Sequence, residues 1–234
     1  LTLGAVAAQM KTYDGTTAAD ASKFGAALNN AVTGDSVTAA AAGAAYNDKN
    51  VARANRIDYT GIALRGADAA NYSLADSTAQ GAGSITRRAL TVDTVAAQSK
   101  TYDGTISADT SKFQATFGNL VAGEEGSVTA TVAGATYNDK NVAKASKVNY
   151  TGVKLTGTGA GNYAIADTAQ GAGTITKRAL TLGEVGAQTK TYDGTTAANA
   201  SKFRAALNNA VTRDNVTAAA AGATYNDKNV ARAN

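Results

Sequence analysis

Apolar and polar side chains alternate over short stretches along most of this chain. Val128, Ala130 and Val132 are separated by Thr129 and Thr131, which is the two-residue period of a half-buried strand. Arg56-Ile-Asp-Tyr59 and Lys147-Val-Asn-Tyr150 repeat the pattern. A Thr-Gly turn then leads into Ile62-Ala-Leu64 or Val153-Lys-Leu155. Asn71-Tyr-Ser-Leu74 and Gly83-Ser-Ile-Thr86 add two further short strands, with Gly, Asn and Asp clusters between them. This spacing predicts a mainly β protein built of sandwich modules.

One stretch has a different period. Phe113, Phe117, Leu120 and Val121 fall at i, i+4, i+7 and i+8, with Asp109-Thr-Ser111 before them as caps and Gly123 after. Phe24, Leu28, Val32 and Phe203, Leu207, Val211 keep the stripe in weaker form. The pattern predicts one short helix per module, from about Ala21 to Val32 in the first, laid over an edge or end of the sandwich.

The alternating elements return as a set. Lys11-Thr-Tyr-Asp-Gly-Thr16 recurs at Lys100 and Lys190, at intervals of 89 and 90 residues. A period this long marks a domain copied in tandem, since solenoid units run to roughly 20–50 residues. The copies are residues 1–88, 89–178 and an incomplete 179–234, and the chain reads as a fragment of a longer array. The tyrosines occupy four equivalent places (Tyr13/102/192, Tyr46/137/225, Tyr59/150, Tyr72/163), and three phenylalanines align at Phe24/113/203. Aromatics held in register predict a small core in every copy, made of core and turn tyrosines rather than a stacked ligand platform.

Between the first two copies, Ile85-Thr-Arg-Arg-Ala-Leu-Thr-Val92 contains no Gly, Pro or Ser run to act as a hinge. The last strand of one module is expected to pass almost directly into the first of the next. With strands of about ten to twelve residues rising ~3.3 Å each, the expectation is a semi-rigid elongated rod. The incomplete third copy is expected to have an open edge, frayed or filled by a neighbouring chain.

Composition narrows the chemistry. The 234 residues include no Cys, His, Trp or Pro, so there are no disulfides, no thiol nucleophile and no imidazole base or ligand. Val, Ile, Leu and Phe make up about 16% of the chain, but net charge is only +4 and the apolar positions are patterned, which argues for folding. Alanine and glycine fill much of the remainder, predicting thin, closely approaching sheets. No apolar run nears the roughly 20 residues of a membrane span, so no membrane insertion is expected. Lys and Arg are scattered, with doublets only at Arg87-Arg88 and Lys177-Arg178, and no nucleic-acid partner is expected.

Candidate sites are few. Asp14, Asp48 and Asp68 carry the oxygen chemistry calcium takes. No D-x-D-x-D-G spacing occurs, and Ala160 stands where the first copy has Asp68, so turn capping is the preferred reading. Glycosylation sequons at Asn71, Asn149, Asn199 and Asn215 are not kept between copies and are read as chance. No nucleophile-and-base pair is visible. The expectation is no enzyme, no catalytic residues, no metal and no cofactor, and the binding residues, if any, are unknown.

The ordered motifs Lys-Thr-Tyr-Asp-Gly-Thr, Gly34 to Val37, Tyr46-Asn-Asp-Lys-Asn-Val51, Tyr59-Thr-Gly-Ile-Ala-Leu64, Gly66-Ala-Asp-Ala-Ala-Asn-Tyr72 and Ile85-Thr86 resemble the YDG repeat of bacterial filamentous-haemagglutinin-like adhesins. The resemblance covers essentially the whole chain and departs from the usual pattern where Ala52 replaces a glycine. It implies an immunoglobulin-like β-sandwich module in the stalk of a large, extracellular Gram-negative surface adhesin, exported through an outer-membrane secretion partner. The implied partners are neighbouring copies of the same protein. The rival expectation is that each repeat is itself a binding module for surface glycans or host proteins.

Overall fold

The computed structural model describes residues 1–233. The described chain is mainly β, with single turns of 3-10 helix between strands. Leu1–Ala96, Asp109–Ala135 and Asn149–Gly171 pack as one compact unit. Ala97–Ala108, Thr136–Val148 and Ala172 onward pack as a second. Each unit contains one passage from a repeat to the next.

The first repeat shows the design. Its strands are β1 (Thr2–Val6), β2 (Gln9–Thr12), β3 (Ala26–Asn29), β4 (Thr38–Ala40), β5 (Gly43–Tyr46), β6 (Arg56–Thr60), β7 (Ala63–Arg65) and β8 (Ala79–Thr86). The largest sheet has the order β2-β8-β6-β5. Within it β2 runs parallel to β8, with Gln9 opposite Gly83 and Thr12 opposite Thr86, and the other pairs are antiparallel. Two antiparallel ribbons, β1 with β3 and β4 with β7, complete the repeat. Strand alternation puts Ile57 and Tyr59 of β6 on the inner face, where both are buried, together with Tyr46, Ile85 and Phe24. The rings of Phe24 and Tyr59 meet edge-on at 4.9 Å.

Two glycines of β8 make room for side chains that pack over the strand. A Cβ on Gly83 would sit 2.7 Å from Ile57 Cγ1 and one on Gly81 2.9 Å from Val6 Cγ1. In the second unit Gly173 stands in the same relation to Val148. A core short of large aliphatic residues is closed by thinning its central strand instead. Gln9, buried under this sheet, donates to the Tyr59 hydroxyl at 2.6 Å and to the Asp20 carbonyl at 2.9 Å.

The helix expected at Ala21 to Val32 does not form. Only Ala21–Lys23 is helical, a single 3-10 turn capped by Asp20, whose carboxylate accepts from Ser22 N at 3.0 Å. Phe24 leaves it at φ −58°, ψ 124°, and Ala26–Asn29 is strand β3. Ala115–Gly118 and Ala205–Asn208 repeat this in the other copies. The strand wins because β1 supplies a hydrogen-bonded partner, while an isolated helix of two to three turns is marginal in water. The i, i+4 stripe was produced by Phe24 lying in the turn and Leu28 on the strand.

Other expectations differ in detail. Strands are shorter than ten to twelve residues, the longest described being the nine residues Thr168–Thr176. No strand forms at Asn71–Leu74, where Ala69–Asn71 is a 3-10 turn. The equivalent Tyr163–Ala164 is a strand because β9 (Arg88–Ala89) lies parallel to it. A strand needs a partner, and here it is the short strand at the passage between repeats. That boundary is continuous, as expected, since only Arg87 separates β8 from β9 and only Leu90 separates β9 from Thr91–Val95.

In the third repeat Thr181–Val185 pairs with Ala205–Asn208. Residues 187–191 and 222–225 form no ladder beyond an Ala197–Thr224 bridge.

Candidate functional site

The recurring Lys-Thr-Tyr-Asp-Gly-Thr segment folds into a loop organised by its lysine. Lys11 Nζ lies 2.8 Å from Asp14 Oδ1, 2.9 Å from the Thr16 carbonyl, 3.1 Å from Thr16 Oγ1 and 2.9 Å from the Ala18 carbonyl. It also sits 5.3 Å from the centre of the Tyr46 ring. Asp14 in turn accepts from Thr16 N at 2.9 Å, and Gly15 takes φ +80°. Lys100 with Asp103 and Tyr137, and Lys190 with Asp193 and Tyr225, reproduce this arrangement. Burial works to raise the Asp14 and Asp103 carboxyls, but the lysine and threonine hydrogen bonds outweigh it and both lie below the ordinary value. Asp193, held by Lys190 and Thr195, is lowered to about 2.

The loop fixes the tyrosine between lysine and aspartate, and that tyrosine docks onto the following repeat. Tyr13, with 0% exposure, donates to Glu124 Oε1 at 2.6 Å. Tyr163 donates to the other oxygen, Oε2, at 2.7 Å, and the two rings meet edge-on at 5.4 Å. Lys49 Nζ is 3.8 Å from the same carboxylate. Burial and the hydrogen bond to Glu124 both raise the Tyr13 phenol well above its ordinary value. Burial acts to raise Glu124 as well, but its two phenol donors and Lys49 hold it below the usual range. Next to the tyrosine, Gly15 leaves no room for a side chain, since a Cβ there would lie 2.8 Å from Val121 Cγ1.

Further bonds surround this joint. Asn162, 6% exposed, accepts from Val51 N and donates to Asn50 Oδ1, both at 3.0 Å. Arg87 Nε donates to the Gly161 carbonyl at 3.2 Å and Arg88 Nε to the Asn119 carbonyl at 2.6 Å. Asn119 presents that carbonyl from a left-handed conformation, φ +66°. The arginine doublet is thus a fastening at the passage between repeats.

The second unit contains the same joint in partial form. Tyr102 hydrogen-bonds Asp214, which raises its phenol. Gly104 faces Val211, and Arg178 Nε donates to the Asn209 carbonyl at 2.6 Å. A cavity of about 330 Å³ is lined by Tyr102, Val142, Arg178, Leu180, Val211 and Asp214.

The aspartates weighed as calcium ligands serve the backbone. Asp48 accepts from Asn50 N at 2.7 Å and Asp68 from Ser36 N at 2.8 Å. The residue equivalent to Asp68 in the second repeat is Gly159 and not Ala160, since Gly159 N donates to the Ser127 carbonyl at 3.1 Å as Asp68 N does to that of Ser36. Of the sequon asparagines, Asn199 caps a 3-10 turn, Asn149 accepts from Gln170 at 3.0 Å, Asn71 ends a 3-10 turn and Asn215 is exposed.

Sequence reasoning took the Tyr-Asp-Gly segment as a turn and missed its docking role. The signal was present in a second motif, Val32-Thr-Gly-Asp35, Val121-Ala-Gly-Glu124 and Val211-Thr-Arg-Asp214, which keeps a valine and an acid three residues apart in every copy.

The family model described as the YDG domain matches residues 1–79, 86–170 and 176–234. The chain belongs to the YDG domain family. It holds three matched YDG repeats, and the tyrosine and glycine of the eponymous loop are the residues that meet the next repeat. Searches of curated proteins and of solved structures each returned no match.

Proposed function

We propose that these YDG repeats are structural stalk modules of a large secreted bacterial adhesin. They act outside the cell at the bacterial surface, hold a binding region away from the envelope, and support cell–cell or biofilm adhesion. We read each repeat as an immunoglobulin-like sandwich, the array as an elongated rod, and the parent protein as exported through an outer-membrane secretion partner. No catalytic role is proposed.

The observation that most favours this reading is the first joint. A strand passes from one repeat into the next with single-residue breaks, and Tyr13, Glu124 and Tyr163 lock the passage from the side. A stalk transmits position and force, so its passages between modules must resist bending, and repetition then adds length nearly in proportion. Its chemistry, a set of partly buried hydrogen bonds about the passage between modules, is that of a fastening.

Small-angle scattering of the 234-residue chain tests the reading together with glycan and host-cell binding. The expected result is an elongated particle that binds neither. A collapsed globule, a floppy string, or binding that weakens stepwise as repeats are removed would overturn it in favour of binding modules.

A further inference from the structure

The joint separates into a plug and a socket, and the first repeat contains a socket in which no loop among the described residues is seated. The plug is the Tyr-Asp-Gly loop. The socket is the valine, the acid three residues on, and the tyrosine that ends the 3-10 turn. In the occupied socket Tyr163 accepts from Val121 N at 3.1 Å and donates to Glu124. In the first repeat Tyr72 accepts from Val32 N at 3.0 Å and donates to Asp35, so the same frame is already assembled. Val32, the counterpart of the valine that packs on Gly15, is 63% exposed. An aspartate is long enough for the role, since Asp214 receives Tyr102 in the second joint.

The plug of the third repeat is equally formed. Lys190 holds Asp193 at 2.8 Å and Thr195 as in the other copies. Tyr192 is 58% exposed, and among the described residues no atom beyond the chain neighbours lies within 4 Å of where a Gly194 Cβ would be. Across the copies, the tyrosine is buried where the full socket covers it and exposed where none does.

We propose that the face built from Val32, Asp35 and Tyr72 is a docking surface for the Tyr-Asp-Gly loop of another YDG repeat. In a solution of this chain the occupant is the Tyr192 loop of a second copy, so that chains associate head to tail. The recognition elements are a phenol donating to the Asp35 carboxylate, ring-edge contact with Tyr72, and glycine against Val32. Because this contact lacks the strand that continues through the internal joint, the association is reversible and heterologous, and extends from dimers to longer oligomers with concentration. The inference rests on the joint geometry and is independent of the adhesin reading.

Sedimentation velocity over a concentration series reaching the millimolar range tests it, with circular dichroism to verify folding. The wild-type chain is expected to self-associate, and Tyr192→Phe and Asp35→Asn are each expected to weaken association at least tenfold. Tyr192→Ala supplies an intact socket and Asp35→Ala an intact plug, so their equimolar mixture should form 1:1 dimers and nothing longer. Should Asp35→Ala fail to fold, Asp35→Asn takes its place in the mixture. A wild-type chain that stays monomeric throughout, or association that these changes leave untouched, would overturn the proposal.

Discussion

The Tyr13 hydroxyl donates to the Glu124 carboxylate at 2.6 Å across 111 residues of sequence, and the same carboxylate accepts from Tyr163 at 2.7 Å. One acid thereby bonds both a tyrosine of the preceding repeat and a tyrosine of its own. Tyr13→Phe removes one bond to a buried-edge charge and should destabilise the first joint by about 1.5–3 kcal/mol. Tyr192→Phe, on an exposed ring, should change stability by no more than about 0.5 kcal/mol. Urea denaturation of the two variants against the parent chain measures the contrast.

The three loop glycines share a left-handed conformation but not their surroundings. Gly15→Ala meets both the strained φ and Val121 Cγ1 at 2.8 Å, and should cost about 2–3 kcal/mol. Gly194→Ala meets only the strain and should cost about 1 kcal/mol. Thermal unfolding of the pair separates docking from local conformation, because turn chemistry alone would make the two equal.

Arg213 holds φ +78°, where the other repeats have Gly34 and Gly123 at +103° and +87°. Non-glycine residues are strained there. Arg213→Gly should therefore stabilise the third repeat by about 1 kcal/mol, seen as a rise in the lower-temperature part of a calorimetric scan.

The lowered carboxyls fix the acid limb of stability. Asp14, Asp103, Asp193 and Glu124 all have folded values below their ordinary ones, so the unfolded chain takes up protons first as pH falls. Their contribution is complete above about pH 4.5 and is lost on acidification toward the folded value of about 2 at Asp193. At the alkaline end Tyr13 is raised, so its contribution is present below pH 10 and declines above it. Melting temperature against pH should fall on both sides, and Glu124→Gln should flatten the acid limb.

Much of the fold was legible in the residues. Two-residue alternation located β6, β8 and the Thr129–Thr131 strand, and the hinge-free Ile85–Val92 segment foretold the continuous passage between repeats. The helix at Ala21 to Val32 was misread because Phe24 and Leu28 mimic a helical stripe, whereas pairing of Ala26–Asn29 with β1 is a long-range contact that local periodicity does not report. The joint was hidden for a similar reason. Glu124 and Tyr13 lie in different repeats, and no spacing within one copy announces that they meet. The strand Tyr163–Ala164 forms by pairing with Arg88–Ala89, a long-range contact that the local pattern does not report.

A double-mutant cycle on Tyr13→Phe and Glu124→Gln, read by urea denaturation, tests most directly whether successive repeats are locked by a specific contact. The joint predicts a coupling of about 1–2 kcal/mol between the two changes. Additivity to within about 0.3 kcal/mol would mean that the repeats merely adjoin, and would contradict the account.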